Sequence, residues 1–242
     1  MRYAVLSDIH GNLEAFTASL EAISKDGADA YIFAGDIVGY GADPDKCIAL
    51  IRTLNLKISI AGNHDWGVLE LLGLDYFNEA AARALVWTKS ILKKESLDFL
   101  RSLDLIYNGE VISAVHGSLV EPEKFNYIIY PDDAADTMPL MKSRVLFVGH
   151  SHRAGVFHKS GGSVRYISEG RIKIAPESKY VINAGSIGQP RDGDPRASYI
   201  IYDDIKASVE IKRVKYDVEL AQKKIRCAGL PESLASRLSI GY

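Results

Sequence analysis

The segment "LKISIAGNHD" (Leu56 to Asp65) sets the reading of this chain. "KISI" is a short apolar run of β type. Gly62 then lets the backbone turn where a side chain would not fit. Asn63, His64 and Asp65 follow in a row, so three polar side chains emerge at the tip of a strand. In α/β proteins ligands bind at that place. Two earlier segments end in a similar way. "RYAVLS" (Arg2 to Ser7) runs into Asp8-Ile9-His10, and "DAYIFA" (Asp29 to Ala34) runs into Gly35-Asp36.

Helical patterns separate these strands. Leu13, Phe16, Leu20 and Ile23 fall on one face, with Asn12 as a candidate N-cap and Gly27 as the C-terminal stop. Residues 44–54 read as a second helix with Pro44 in its first turn. Alternating strand and helix predicts a βαβ series and a locally parallel sheet. Residues 66–103 are mostly helix formers. Beyond them come short β-rich runs broken by Gly, Asn, Asp or Ser: "DLIYN", "EVISAVHG", "RVLFVGHSH", "GVFHK", "SVRYIS", "YVINAGS", "ASYIIYDD" and "SVEIKRV". Residues 217–227 and 231–238 read as closing helices. With no internal repeat or linker, residues 1–242 are expected to form one domain. The 66–103 helices and the 119–142 stretch are read as elaborations on it.

Composition narrows the function classes. The chain has 242 residues, 47% apolar and 25% charged, with a net charge of −2. That is ordinary for a globular protein and supplies no broad basic field for nucleic acid and no acidic tail. Cys47 and Cys227 lie far apart in no metal-type spacing, and read as reduced thiols of a cytoplasmic protein. The N-terminus meets Asp8 too early for a signal h-region, and no apolar run approaches a membrane span.

The histidines carry the chemistry. Of six, five stand where an apolar run ends beside glycine: His10, His64, His116, His150 and His152. His158, within "GVFHK", lacks that context and reads as an ordinary side chain. Imidazole and carboxylate are the usual ligands of Zn, Mn, Fe and Ni. Asp8 and His10 are two residues apart, as are His150 and His152, so an extended backbone would point each pair to one side. If the segments share a sheet, their ends converge. Asp36 would then bridge two cations about 3.5–4 Å apart.

Taken together, Asp8-Ile9-His10, Gly35-Asp36, Gly62-Asn63-His64-Asp65, His116-Gly117 and Gly149-His150-Ser151-His152 resemble the calcineurin-like metallophosphoesterase superfamily. The segment "NAGSIGQPRDGDPRASY" (Asn183 to Tyr199) is similar to its small prokaryotic phosphodiesterase or diadenosine tetraphosphatase-like branch. The resemblance implies an α/β, four-layer αββα sandwich of two mixed β-sheets flanked by helices, with a metal site at the strand C-terminal ends. It implies two divalent ions, drawn from Mn, Fe, Ni, Co and Zn, with Mn placed first. Asp8, His10, Asp36 and His152 would hold one ion. Asp36, Asn63, His116 and His150 would hold the other. His64 would serve the leaving oxygen, and Asp65 would orient its ring or cap the helix that follows.

The implied activity is hydrolysis of small phosphodiesters, phosphomonoesters or dinucleoside polyphosphates by a metal-activated hydroxide. Relatives acting on protein phosphates or symmetric dinucleotides often carry an Arg after the Gly-Asp block. Here "GDIVGYGADP" has Tyr40 and no Arg. A phosphate clamp is therefore sought at Arg191, with Asn12 a second substrate-binding candidate. The alternative for Arg191 is a loop charge paired with Asp192 or Asp194. Other readings of the whole chain are a protein phosphatase, or a silent binding scaffold of the same fold. The expected partner is a small phosphorylated compound, nucleotides included, with no membrane or nucleic-acid role and with room for a homo-oligomer. Tyr76, Phe77 and Trp87 are candidates for a substrate groove, whereas Leu85, Trp87 and Ile91 at helical spacing read as core or oligomer contact.

Overall fold

The computed structural model describes the backbone of residues 1–242 and every side chain but that of Ser160. The first half runs β1 (Arg2–Leu6), α1 (Leu13–Asp26), β2 (Ala30–Phe33), α2 (Pro44–Ile51) and β3 (Leu56–Ser59). Next come α3 (Asn63–Val68), α4 (Glu79–Ile91) and α5 (Lys94–Arg101). The second half contains β4 (Ile106–Asn108), β5 (Ser113–Val115), α6 (Pro131–Thr137), β6 (Val145–Val148), β7 (Gly155–Ser160), β8 (Ser163–Ile167), β9 (Arg171–Lys173) and β10 (Lys179–Asn183). It closes with β11 (Ala197–Asp203), β12 (Ser208–Val214), α7 (Val218–Cys227) and α8 (Glu232–Ser236).

The strands form two six-stranded mixed sheets, ordered β3-β2-β1-β11-β12-β9 and β4-β5-β6-β10-β7-β8. β1, β2 and β3 are parallel, as the βαβ reading requires, and β5, β6 and β10 are parallel in the other sheet. The metal-type segments therefore do not share one sheet. Asp8, His10, Asp36 and Asn63 follow strands of the first, and His116, His150 and His152 follow strands of the second.

Strand alternation builds the layers. Successive side chains of β1 point to opposite faces, so Val5 enters the core between the sheets while Ala4 and Leu6 pack under the helices. In β6, Val145 and Phe147 meet Val5, Ile32 and Ile200 between the sheets, while Leu146 and Val148 pack outward with Ala134 and Met138. Helices α1, α2 and α5 cover the outer face of the first sheet through Phe16, Ile23, Ile48 and Leu100, and α6 covers the second. The four-layer αββα sandwich follows.

The structure departs from the sequence reading at several elements. Helix α3 starts at Asn63, so the Asn-His-Asp triplet occupies a first helical turn and not an extended tip. Strand β9, Arg-Ile-Lys on a sheet edge, has a single apolar residue and is absent from the sequence reading, and α6 lies inside the stretch read as an elaboration. Leu85 is core, Trp87 is partly buried against α7 and α8, and Ile91 is exposed. His158 lies flat on Tyr180, with ring centroids 4.5 Å apart. Cys47 and Cys227 are unbridged, and among the described residues no helix is long and apolar enough to cross a membrane.

One ion-pair cluster ties α7 to the first βαβ unit. Lys224 Nζ reaches Glu14, in the first turn of α1, and Asp43 at 2.7 Å, just before α2. Both carboxylates are about nine-tenths buried, with side-chain exposures of 10% and 9%. Replacing Lys224 by Met would leave them facing each other, with only Lys46 to neutralise Asp43. Urea denaturation of Lys224→Met should show a loss of about 1–3 kcal/mol, the usual cost of a buried group left unpaired.

Candidate metal centre

The segments that carry the site are strained and stitched together. Asp8, His10, Asp36, His150 and His152 all lie in the left-handed region, with φ of 53°, 50°, 61°, 65° and 56°. Non-glycine residues adopt it at a cost, and only where surrounding structure enforces it. The pairs Asp8/His10 and His150/His152 therefore do not share a side through an extended backbone, as their spacing suggests. Each converges because two left-handed residues flank the intervening one.

The enforcing contacts cross between segments. Asp8 N donates to Gly35 O at 2.9 Å, His10 N to Asp36 O at 3.1 Å and Gly11 N to Ile37 O at 2.8 Å. Gly149 N donates to His116 O, Ile187 N to Ser7 O and Gly188 N to Asp8 O. Asn183 Nδ2 donates to Gly149 O, and Ser186 Oγ to Asp8 O. Gly62 is required by close approach: a Cβ there would overlap the Asp36 carboxylate.

The side chains meet in a buried cluster. Three groups, Asp8/His10/His152, His10/Asp36/His64 and Asp36/His116/His150, each bring their ligand atoms within 4.8 Å of one another. His116 Nε2 lies 3.2 Å from Asp36 Oδ2, His10 Nε2 lies 3.6 Å from that oxygen, and His152 Nε2 lies 3.1 Å from Asp8 Oδ1. Asp36 thus stands between the two halves.

Hydrogen bonding fixes the ring tautomers. Nδ1 of His10 faces Val38 O at 3.0 Å, that of His116 faces Ala34 O at 2.7 Å, and that of His152 faces Gln189 O at 2.5 Å. A carbonyl only accepts, so each Nδ1 carries a proton, and each ring, when neutral, turns a bare Nε2 inward. His10 Nε2 and His152 Nε2 are then two lone pairs 3.0 Å apart. Asp36 Oδ2, Asn63 Oδ1, His116 Nε2 and His150 Nε2 are buried without a hydrogen-bond partner. Buried polar atoms are nearly always satisfied. A set of orphaned acceptors at one place, all of metal-ligand type, fits the binding of divalent metal.

The electrostatics agree. Burial works to raise the Asp8 carboxyl, but the His152 and His10 rings prevail and hold it well below the usual range. Burial likewise works to lower His116, yet the Asp36 charge drives it up to about 9. Burial, then the neighbouring His116 charge, pushes His150 well down, and burial with Arg191 lowers His152 to about 4. Without positive charge from a bound ion, then, the Asp36 carboxylate favours a proton on His116.

The remaining candidates fall in different places. His64 lines the cleft, its ring packed against Tyr40, His10 and Phe77 at centroid distances of 4.4, 4.8 and 5.1 Å. Asp65 does not orient it. Its carboxylate accepts from the amides of Gly62 and Asp36 at 2.9 Å, Ile37 at 3.0 Å and Val38 at 3.4 Å. Those bonds close the first turn of α3 and clamp the loop after β2, while His64 Nδ1 has no partner among the described residues.

Asn12 is not in the cleft. Its Oδ1 caps α1 by accepting from Ala15 N and its amide donates to Gly188 O, so both ends of the side chain are engaged away from the cleft. Arg191 lines the cleft with Tyr76, Phe77 and Tyr127, in a cavity of about 70 Å³. It does not pair with Asp192 or Asp194, which are taken by Arg213 and Arg196. Instead its guanidinium lies over the Tyr40 ring and donates to the Tyr40 hydroxyl at 3.1 Å.

Tyr127, which stacks on His150 at 4.0 Å, went unnoticed in the sequence because it sits in a loop with no periodic pattern. Gln189, whose carbonyl fixes His152, acts there through its backbone, which no residue-type motif records.

A model of the calcineurin-like phosphoesterase superfamily domain matches residues 1–206. An uncharacterised protein of Methanocaldococcus jannaschii is 45% identical, over 98% of this chain and 97% of that protein. A metallophosphoesterase from Sphaerobacter thermophilus has a similar structure, with 37% identity, coverage of 100% of this chain and 99% of that one, and a TM-score of 0.88. A hypothetical protein from Pyrococcus horikoshii gives 26% identity, coverage of 100% and 98%, and a TM-score of 0.81.

Two predictions follow from the geometry. Saturating Mn²⁺ should raise the melting temperature of chelator-stripped protein by about 5–10 °C, as expected for a ligand near 100 Kd on a chain of this size. The Asp8→Asn, Asp36→Asn double variant should lose most of that shift. Separately, Asp65→Ala should destabilise the metal-free protein by about 3–5 kcal/mol in urea, because several buried amides lose their acceptor.

Proposed function

The chain belongs to the calcineurin-like phosphoesterase superfamily, and from that premise we propose that it is a metal-dependent phosphoric ester hydrolase. Its substrates are small phosphodiesters, phosphomonoesters or dinucleoside polyphosphates. The observation that carries this reading is the set of unpartnered inward-facing acceptors, Asp36 Oδ2, Asn63 Oδ1, His116 Nε2 and His150 Nε2, beneath a cleft that also presents His64 and Arg191.

Asp8, His10, Asp36 and His152 would hold one divalent cation, and Asp36, Asn63, His116 and His150 the other. When bound, such ions acidify a water and offset charge on phosphoryl oxygens. The protein's own groups supply the rest. His64 is placed to serve the leaving oxygen. Burial pushes its imidazolium well down, against the pull of Asp36. The negative charge of an arriving phosphoryl group favours the imidazolium, which gives its proton to the departing oxygen and returns to the neutral ring. Gly39 allows this placement, since a Cβ there would overlap His64 Nδ1.

Arg191 holds a non-transferred phosphoryl oxygen through its planar fork. Tyr40 falls in the segment after Gly35-Asp36, where the resemblance leads one to look for an arginine in enzymes acting on protein phosphates or symmetric dinucleotides, and here it is the shelf on which Arg191 rests. The cation thus reaches the cleft from the loop after β10. The aromatic walls, Tyr76, Phe77 and Tyr127, exclude water and present flat faces to a base or aryl leaving group.

Metal-stripped protein is assayed on a chromogenic phosphomonoester and the matching diester, with and without Mn²⁺. Turnover should require the metal, and His64→Ala should lower kcat by about 10²–10⁴-fold, the range for loss of a general acid. Arg191→Ala should raise KM about tenfold, the scale of one charged hydrogen bond. Protein that binds two ions yet turns over neither substrate would favour the binding scaffold.

A further inference from the structure

Arg191 is not alone at the mouth of the cleft. Arg237, in the turn after α8, donates Nη1 to Gln189 Oε1 at 3.2 Å. That same oxygen accepts from Arg191 Nε at 3.3 Å and Nη2 at 2.9 Å. Two guanidinium groups therefore converge on one neutral amide oxygen. The side-chain carboxylates of the two segments are committed elsewhere: Asp192 to Arg213, Asp194 to Arg196 and Glu232 to Arg226. Arg237 Nε is buried without a partner, as is Nε2 of Gln189, a residue only 1% exposed. Burial, and next the charge of Arg191, lowers the pKa of Arg237. Like charges held this close without a carboxylate are unfavourable unless an anion joins them.

Position indicates which anion. Arg191 lines the metal-centre cleft, whereas Arg237 is not among its lining residues and is joined to Arg191 through Gln189 Oε1. A phosphoryl group seated over Asp36, His150 and His152 is within the province of Arg191 alone. The second guanidinium carries the positive charge beyond the lining of the cleft. Gln189 links the two regions, because its carbonyl fixes His152 while its side chain gathers both arginines.

We propose that Arg191, Arg237 and Gln189 form a second phosphate subsite, so that the preferred substrates carry a further phosphoryl group beside the one that is hydrolysed, as in nucleoside di- and polyphosphate esters. This rests on the phosphoesterase reading above. Two guanidinium forks around one phosphate is the usual geometry for recognising a dianion.

The test has a binding arm and a kinetic arm. Metal-loaded protein is titrated calorimetrically with inorganic phosphate and with methylenediphosphonate, which cannot be hydrolysed. The wild type should bind the diphosphonate at least tenfold more tightly, and Arg237→Gln should collapse that ratio towards one. Arg237→Lys should restore only part of it, since a point charge replaces a fork. In kinetics, kcat/KM for a p-nitrophenyl ester of a nucleoside monophosphate and for a dinucleoside tetraphosphate are compared, and the variant should lose the preference for the latter. Equal affinity of the wild type for the two anions, or a ratio unmoved by Arg237→Gln, would overturn the subsite. Selective diphosphonate binding without turnover of any ester would sustain the subsite and sink the hydrolase reading, so the two failures are told apart.

Discussion

Asp36 is the group on which the rest depends. It follows β2, in the middle of the parallel part of the first sheet, and its backbone is left-handed. Its Oδ1 accepts from His64 N at 2.9 Å, which fixes the start of α3, and its Oδ2 faces His10 and His116. Its amide donates to Asp65, and its carbonyl accepts from His10 N. One residue thus joins the loops after β1, β2 and β3 to the histidine delivered by the opposite sheet. Placing it there requires Gly62 to be bare, because any side chain would occupy the same space.

The burial of such a cluster is costly in two ways. Five residues hold strained backbone, and several acceptors have no donor. Strain and unsatisfied polarity tend to gather at functional sites, where the surroundings enforce them. Here the surroundings are two apolar layers and a lattice of cross-loop hydrogen bonds, so the cost is carried by the sandwich as a whole. The same logic applies at the cleft mouth, where Tyr40 and Gln189 hold two arginines without a counter-ion.

Much of this was legible in the sequence. The βαβ series, the helix caps at Asn12 and Gly27, and the apolar runs ending in Asp or His all rest on local rules of periodicity and turn chemistry. Strand β9 and helix α6 are not read: β9 is three residues with a single apolar side chain, and α6 lies in a stretch read as an elaboration. Asn12 and Asp65 each carry a capping expectation beside a role in the site, and the local capping bonds from Ala15 N and Gly62 N are present. Their other hydrogen-bond partners, Gly188 O for Asn12 and the amides of Asp36 to Val38 for Asp65, lie 176 and 27 to 29 residues away, and no spacing rule reaches them.

The sequence by itself determined the inventory: which strands end in metal-type side chains, in what order, and with which glycines beside them. Only the tertiary structure decided their assembly. The five histidine and aspartate segments belong to two sheets, and packing those sheets face to face brings His116 within 3.2 Å of Asp36 from 80 positions along the chain. It also decided that Arg191 faces Tyr40 and Arg237, because the partners of a long flexible cation are set by which loops abut. Periodicity and turn propensity are local and are written in neighbouring residues. Convergence of loop ends depends on the register of strands far apart in sequence, and that is fixed only when the layers pack.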